Sequence, residues 1–538
     1  MPPALNNKHP IDFHDQAFKP LFDKLQGNIV KGHGREFSAN IFVRFTVEKE
    51  ELRQLVRAIA TQYVTRASAQ LKQAERYSTL GIPGSLFGNL MLTRHAYAKL
   101  GHGAQLQQWF NDPPEDAAPV LPQKANFLSG MLEARGDLGD PAPKGPEQGE
   151  PLERAYAGDA IDALIILADD SEQFLMREAR ALLDRLEDRK QGEVLAFEVG
   201  RALRAASGEG IEHFGYVDGR SQPLFLASDF TGLQGGAVVP GTTTEAGVER
   251  GSTRYWNPQA SLDLVLLKDP GTDDPDAFGS YFVFRKLEQN VLGFRMAEQH
   301  LATELGLRGS DRERAGAMAV GRFRDGTPLT LNEAGGGFPQ KSNDFRFDGL
   351  DAELATPPGA PADRLALKCP FHAHIRKTNP RQSVVGLNDS ADAIKAAEDH
   401  DRGRRIARRG ITYGIRTPSA PNQSALLEEL PSGGVGLLFG CFQRSIMRQF
   451  AFMQKTWVNN ANFKVPATGI DPLIGQGAAP PQHWRKEYGG EPGQAPPVNL
   501  GDLDLKASHP SDVDFSRFIT FRGGEFFFAP SLTFLIGE

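Results

Sequence analysis

Cysteine is nearly absent from this chain: Cys369 and Cys441 are the only two in 538 residues. Both stand beside apolar residues, so buried thiols of a reducing compartment are expected rather than a disulfide. Two cysteines also exclude an all-cysteine zinc site or a cysteine-ligated iron–sulfur cluster within one chain. No run approaches the roughly 18 apolar residues of a membrane span. The start, MPPALNNKHPIDFHDQ, has no charged stretch leading into an apolar one. A cytoplasmic location is therefore expected, with export by another route left open. Positive charge is in short supply too, with 60 Lys and Arg against 67 Asp and Glu and a formal net charge of −7. That offers no basic field for nucleic acid and no polybasic face for a membrane surface. Nor is there a short repeat of the solenoid kind.

What is present reads as an ordinary globular protein, 40% hydrophobic and 24% charged. The length allows two to four domains. A strand-then-helix pattern recurs along it. ANIFVRFTV (39–47) is β-branched and aromatic, and the next 17 residues carry apolar positions at helical spacing. DALIILADD (162–170) precedes SEQFLMREARALLDRLEDR, and VLAFEV (194–199) follows as a further strand. The C-terminal half repeats the theme with SYFVFRKL (280–287) before a helix, then GVGLLFGCF (434–442) before a helix over QRSIMRQFAFMQKTW (443–457). Strand–helix units this widely spaced predict an α+β protein of two sandwiches, helices packed on antiparallel or mixed sheets. A doubly wound sheet loses ground because no strand leads into a G-x-G-x-x-G turn. Pro- and Gly-rich stretches at 136–151, 332–362 and from 465 onward read as long surface or functional loops.

Three stretches carry chemistry. In FGYVDGRSQP (214–223), Gly215 and Gly219 bracket Asp218, so a tight turn can thrust the carboxylate into a cavity; a surface Asp-Gly turn is the plainer alternative. In CPFHAHIRKTNPR (369–381), His372 and His374 would share a face if the segment is extended, and neutral imidazole is a common ligand for iron, zinc or copper. Arg376, Lys377 and Arg381 beside them suit carboxylates or phosphates, or form a solvated face. In RIARRGITYG (405–414), Arg408 precedes a turn where a permanent cation can stabilise developing negative charge.

Taken in order, GYVDG (215–219), HIRKTNPR (374–381) and RRGITYG (408–414) resemble the hallmarks of the dye-decolourising peroxidases, in their longer bacterial or fungal branch. LQGNIVKGHGR (25–35), GSYFVFRKLEQN (279–290), VGRFRDGTPL (320–329), GIDPLIGQ (469–476) and FRGGEFFFAPSL (521–532) extend the likeness over nearly the whole chain. The resemblance implies two ferredoxin-like domains, 1–235 and 236–538, meeting in a barrel-like core, with haem b mainly in the second. It implies a haem peroxidase that reduces hydrogen peroxide and oxidises bulky aromatic donors such as dyes and phenolics. His374 matches the ligand to haem iron, Asp218 the proton shuttle, Arg408 the charge stabiliser and Arg381 a partner of a haem propionate. Leu437 and Phe439 match the apolar wall of the open side. Asp471 is placed to accept the other ring N–H of His374, with a loop turn as the alternative. Tyr413 and Trp457 are the candidates for surface rings that relay electrons. Two positions depart from the family. His372 stands where a small residue is usual and is a rival ligand. Thr412 replaces a proline, which implies a looser turn under Arg408. A haem carrier, a haem sensor or a protein that strips iron from haem on the same fold is the competing function. A homodimer is open to it.

Overall fold

The computed structural model describes the chain outside residues 1–3, 111–124, 142–151, 159, 232–255, 257, 337–342, 344, 348–362, 364, 382–390, 417–426, 478–480, 490–503, 509–510 and 538. The expected division between 235 and 236 lies outside the described residues, as does much of the Pro- and Gly-rich stretches.

Eight strands make the core. The first four are β1 (Phe37–Phe45), β2 (Phe87–Leu92), β3 (Ala163–Asp169) and β4 (Gly192–Arg201). The second four are β5 (Phe278–Gln289), β6 (Ile411–Tyr413), β7 (Gly436–Gln443) and β8 (Ile519–Ala529). Hydrogen bonding runs β4–β1–β3–β2 in the first set and β8–β5–β7–β6 in the second, all antiparallel. Within each set the order is fourth, first, third, second, the ferredoxin-like arrangement. The two sheets meet at both seams, through Tyr413 opposite Gly200 and Phe528 opposite Leu92, so the ring closes as a barrel.

Side-chain alternation explains why these sequences are nearly continuous hydrophobic runs: both faces are buried. In β1, Phe42 points to the barrel interior while Ile41 and Val43 point outward. In β5, Phe282 and Phe284 face the interior and Tyr281 and Val283 the outside. On the first sheet the outer face is sealed by α1 (Lys49–Tyr63) and α2 (Glu172–Asp188). Leu52, Leu55, Val56 and Ile59 of α1 recur at helical spacing and are all buried. Ser171 caps α2 by accepting from the Phe174 N–H at 3.3 Å.

The second sheet is covered differently. Its first helix, α3 (Val291–Glu304), starts at an Asn290 cap and packs with residues from 315–320 and with Trp484, Val513 and Phe515 in a separate core. The helix expected over 443–457 forms only at its end, as α5 (Phe450–Phe452) running into a π-helical turn, Met453–Val458. Side-chain amides prevent the rest. Gln449 Oε1 accepts from the N–H groups of Arg444 and Ser445, its Nε2 donates to Leu264 and Arg405 carbonyls, and Gln443 Oε1 takes the Phe450 N–H. These local bonds compete with the helical ladder. Between this segment and the outer face of β5 and β7 lies a cavity.

Candidate active site

The distal wall begins with the turn 212–219. Glu212 folds the chain around its carboxylate, which accepts from the N–H groups of Phe214 (2.7 Å) and Tyr216 (3.0 Å) and from the Gln289 amide. Gly215 sits at φ 90°, and a Cβ there would stand 2.9 Å from Arg295, so only glycine lets the turn close. The bend delivers Asp218 to the cavity, where its side chain keeps 39% of its surface accessible. Arg408 comes from a two-residue strand, Ala407–Arg408, on the edge of β7, and its Nη1 donates to Asp218 Oδ1 at 2.8 Å. The enclosing walls work to raise the Asp218 pKa. The Arg408 guanidinium and the Gly219 N–H outweigh them, and the carboxyl ends below its ordinary value. Behind Arg408, the half-buried Arg409 donates to the carbonyls of Asn28 and Ile29, which gives the LQGNIVKGHGR stretch its part in the site.

On the opposite wall His374 opens a short helix, α4 (His374–Thr378). The segment is a turn entering a helix rather than a strand, so the two histidines diverge. His374 lines the cavity; His372 is 3% exposed and lies edge-on to Trp484 with ring centroids 4.3 Å apart. Asp471, fully buried, places Oδ2 2.9 Å from His374 Nδ1. Its Oδ1 accepts from the N–H groups of Leu473 and Ile474, so the same carboxylate also makes the loop turn. A carboxylate only accepts, so Nδ1 is the donor, and in the neutral tautomer that this selects the lone pair is on Nε2.

Leu437 and Phe439, two apart on β7, both face the cavity, as do Arg285, Leu287 and Gln289 of β5. Arg381 also lines it. Its terminal nitrogens donate to the Asn343 and Phe345 carbonyls, to Asn343 Oδ1 and to Ser221 Oγ, at 2.8–3.0 Å. Tyr413 is 8% exposed and Trp457 3% exposed, so neither is a surface ring. Tyr413 is held on the seam strand β6, and Trp457 is covered by Phe463, Phe452 and His400. Thr412 does not loosen its turn. Its hydroxyl donates to the Arg201 carbonyl and accepts from the Leu203 N–H at 3.1 Å, two ties a proline lacks.

Haem presents a flat apolar ring, an iron that takes an imidazole, and two carboxylates, and the cavity can be tested against each. The space, about 1690 Å³ with its open mouth, has apolar walls and a histidine whose Nδ1 is tied to Asp471, which leaves Nε2 as the nitrogen for a ligand. It also holds surplus positive charge. Arg322, 4% exposed, and Arg405 both line it and make no ion pair among the described residues. Burial pushes each guanidinium down to about 9, and Arg220 and Arg408 add repulsion at Arg322. Arg322 shares Asn343 Oδ1 and Ser221 Oγ with Arg381. A buried and a half-buried cation on neutral oxygens fit a dianionic group. The residues present fit haem. Arg322 and Arg405 were not singled out by sequence, because an arginine in VGRFRDG or GRRIARR reads as surface until the fold buries it.

The sequence matches no protein-family model. It is 38% identical over 523 residues to the multifunctional dye peroxidase DyP2 of Amycolatopsis sp., covering 96% of this chain and 95% of that protein. It is 31% identical to Peroxidase 2 of Mycetinis scorodonius, over 76% of this chain and 70% of that one. Among solved structures, the DyP-type peroxidase of Anabaena sp. superposes with a TM-score of 0.78 at 35% identity, covering 99% of this chain and 98% of its own. DyP2 of Amycolatopsis superposes equally well at 36% identity, covering 98% and 99%. The chain belongs to the dye-decolourising peroxidase family and is a haem peroxidase.

Proposed function

We propose that the cavity binds one haem b per chain, with His374 as its iron ligand, Arg381 facing a propionate and Leu437 and Phe439 walling the opposite side. One observation carries this reading: a single cavity has the His374–Asp471 pair on one wall and the Asp218–Arg408 pair on another. The chemistry haem supplies there when bound is two-electron reduction of peroxide, followed by one-electron oxidation of donors.

The chain's own groups do the rest. Asp218 accepts the proton from one oxygen of hydrogen peroxide and returns it to the other, which departs as water. Arg408 balances the negative charge that grows on the departing oxygen and keeps Asp218 ionised between turnovers. Asp471 fixes the tautomer of His374 and raises the basicity of Nε2. Aromatic donors, dyes and phenolics among them, give up one electron each, two per peroxide. With Tyr413 and Trp457 both buried, any relay through them needs a further step to the surface. We also take 1–235 and 236–538 as the two units, one sheet in each.

Stopped-flow absorption of the haem-loaded protein tests the assignment. D218A and R408A are each expected to slow the reaction with peroxide by about 10²–10⁴-fold while leaving the haem spectrum in place. Unchanged rates would remove both residues from the mechanism. The pH profile follows from the lowered Asp218 pKa. A carboxylate held below the ordinary value of about 3.9 stays a base through mild acid, so the rate is expected to be level from neutrality to about pH 4 and to fall only below it.

A further inference from the structure

Four residues beyond Asp218, Gln222 meets the backbone of Arg408 with both ends of its amide. Oε1 accepts from the Arg408 N–H at 3.1 Å, and Nε2 donates to the Arg408 carbonyl at 3.3 Å. Only this orientation of the amide satisfies both groups, since the N–H can only donate and the carbonyl only accept. The two residues are 186 apart in sequence, so the amide joins two stretches of chain that nothing else in their covalent structure aligns.

Each stretch has its own anchor. The Asp218 N–H donates to the Gly210 carbonyl at 3.0 Å, and Ser221 Oγ meets Asn343 Oδ1 at 3.0 Å. Arg408 is paired to Cys441 of β7, and its carbonyl also takes the Arg409 Nη1–H at 2.7 Å. Remove Gln222 and both stretches keep these anchors; what goes is the amide's hold on the Arg408 backbone, leaving the Asp218–Arg408 pair itself to join them. We propose that Gln222 is a positioning residue for the peroxide reaction, setting the register in which the Arg408 guanidinium meets the Asp218 carboxylate. This rests on the assignment of Asp218 as proton acceptor and names the residue that tunes it.

The consequence is electrostatic. The groups facing Asp218 are Arg408 from the edge strand, the Gly219 N–H of its own turn, Glu212 at the base of that turn, and His374 across the cavity. Arg408 is the largest of the influences that hold the carboxyl down against burial. A guanidinium free to wander leaves burial less opposed, and Asp218 then takes a proton at higher pH.

The test compares the haem-loaded parent with Q222M, which keeps the side chain's bulk and removes both bonds. Infrared spectra across pH report the C=O band of protonated Asp218, identified by its absence in D218N. Q222M is expected to move the midpoint up by about one pH unit. The pH profile of the peroxide reaction is expected to move with it, with a loss of about tenfold near pH 4 and only a few-fold loss at neutrality. A midpoint unchanged in the infrared would overturn the proposal, whatever happens to the rate. If Q222M does not accumulate as folded protein, Q222N replaces it: one carbon shorter, it cannot span both backbone groups, and an unmoved midpoint there would equally overturn it. Were D218N to react with peroxide as fast as the parent, the shuttle assignment would fall, while the infrared shift would still decide the role of Gln222.

Discussion

The two sheets of the barrel share one strand order, yet their outer faces differ. On the first, Ile41, Val43, Ile165 and Leu167 meet the leucines of α1 and α2 in one buried cluster. On the second, Arg285, Leu287, Gln289, Leu437 and Phe439 look into a cavity. Topology places a helical layer over each sheet; the side chains of 443–449 decide whether that layer closes. Where their amides hold backbone N–H groups, the helix shrinks to three residues and a π-helical turn. Stability and chemistry are thereby separated between two copies of one fold.

The largest expected effects come from exchanging damage between the two faces. Leu55→Ala removes a fully packed side chain beneath α1 and is expected to cost about 2–5 kcal/mol in denaturant unfolding. The haem spectrum and the rate with peroxide should stay as they were. His374→Ala should abolish the histidine-ligated spectrum outright at a smaller cost to the apoprotein, about 1–3 kcal/mol, for leaving the buried Asp471 Oδ2 without its donor. If Leu55→Ala instead slowed peroxide turnover in proportion to lost stability, the two faces would be coupled and the separation wrong.

Much of this was legible in the sequence. The β-branched and aromatic runs at 39–47, 162–170, 280–287 and 434–442 located five of the long strands together with 194–199, and the helical stripes located α1, α2 and α3. Two others, FGNLML at β2 and ITY at β6, carry no β-branched and aromatic run long enough to set them apart from their surroundings. The failed helix at 443–457 shows why: hydrophobic spacing reports a buried face and says nothing of side chains that take the backbone's bonds. Motifs singled out Asp218, Arg408 and His374, which the fold brings to one cavity, and Asp471, which pairs with His374. Burial was not legible. Tyr413 and Trp457 read as surface candidates, and Arg322 did not stand out, because exposure depends on partners hundreds of residues away.

The seams between the sheets are narrow, and a smaller effect is expected there. His213 is fully buried, its Nε2–H donates to the Tyr413 carbonyl at 2.8 Å on the seam strand, and Nδ1 has no partner among the described residues. Burial pushes its pKa down to about 4, with Arg416 adding to the shift. The sign follows: between an unfolded value of about 6.5 and the folded 4, only the unfolded chain takes the proton, so stability falls as pH drops, by about 1.4 kcal/mol per unit. The full loss is on the order of 3 kcal/mol by pH 4. His213→Gln keeps a donor and cannot ionise, so its unfolding free energy should fall less steeply over the same window. The acid that Asp218 tolerates would then be limited by the seam, and an identical slope in the variant would place the acid weakness elsewhere.

The smallest effect belongs to Thr412. Its hydroxyl joins β6 of the second sheet to the end of β4 in the first, donating to the Arg201 carbonyl and accepting from Leu203. The residue is 4% exposed, so both partners would lose a bond that water replaces poorly. Thr412→Val keeps the shape and removes both bonds, with an expected cost of about 1–2 kcal/mol in unfolding free energy. The haem spectrum should not move, because Gln222 and the pairing to β7 hold Arg408 independently of the hydroxyl. A variant that unfolds as the parent does but reacts more slowly with peroxide would reverse this assignment, making Thr412 a support of the distal pair rather than of the seam.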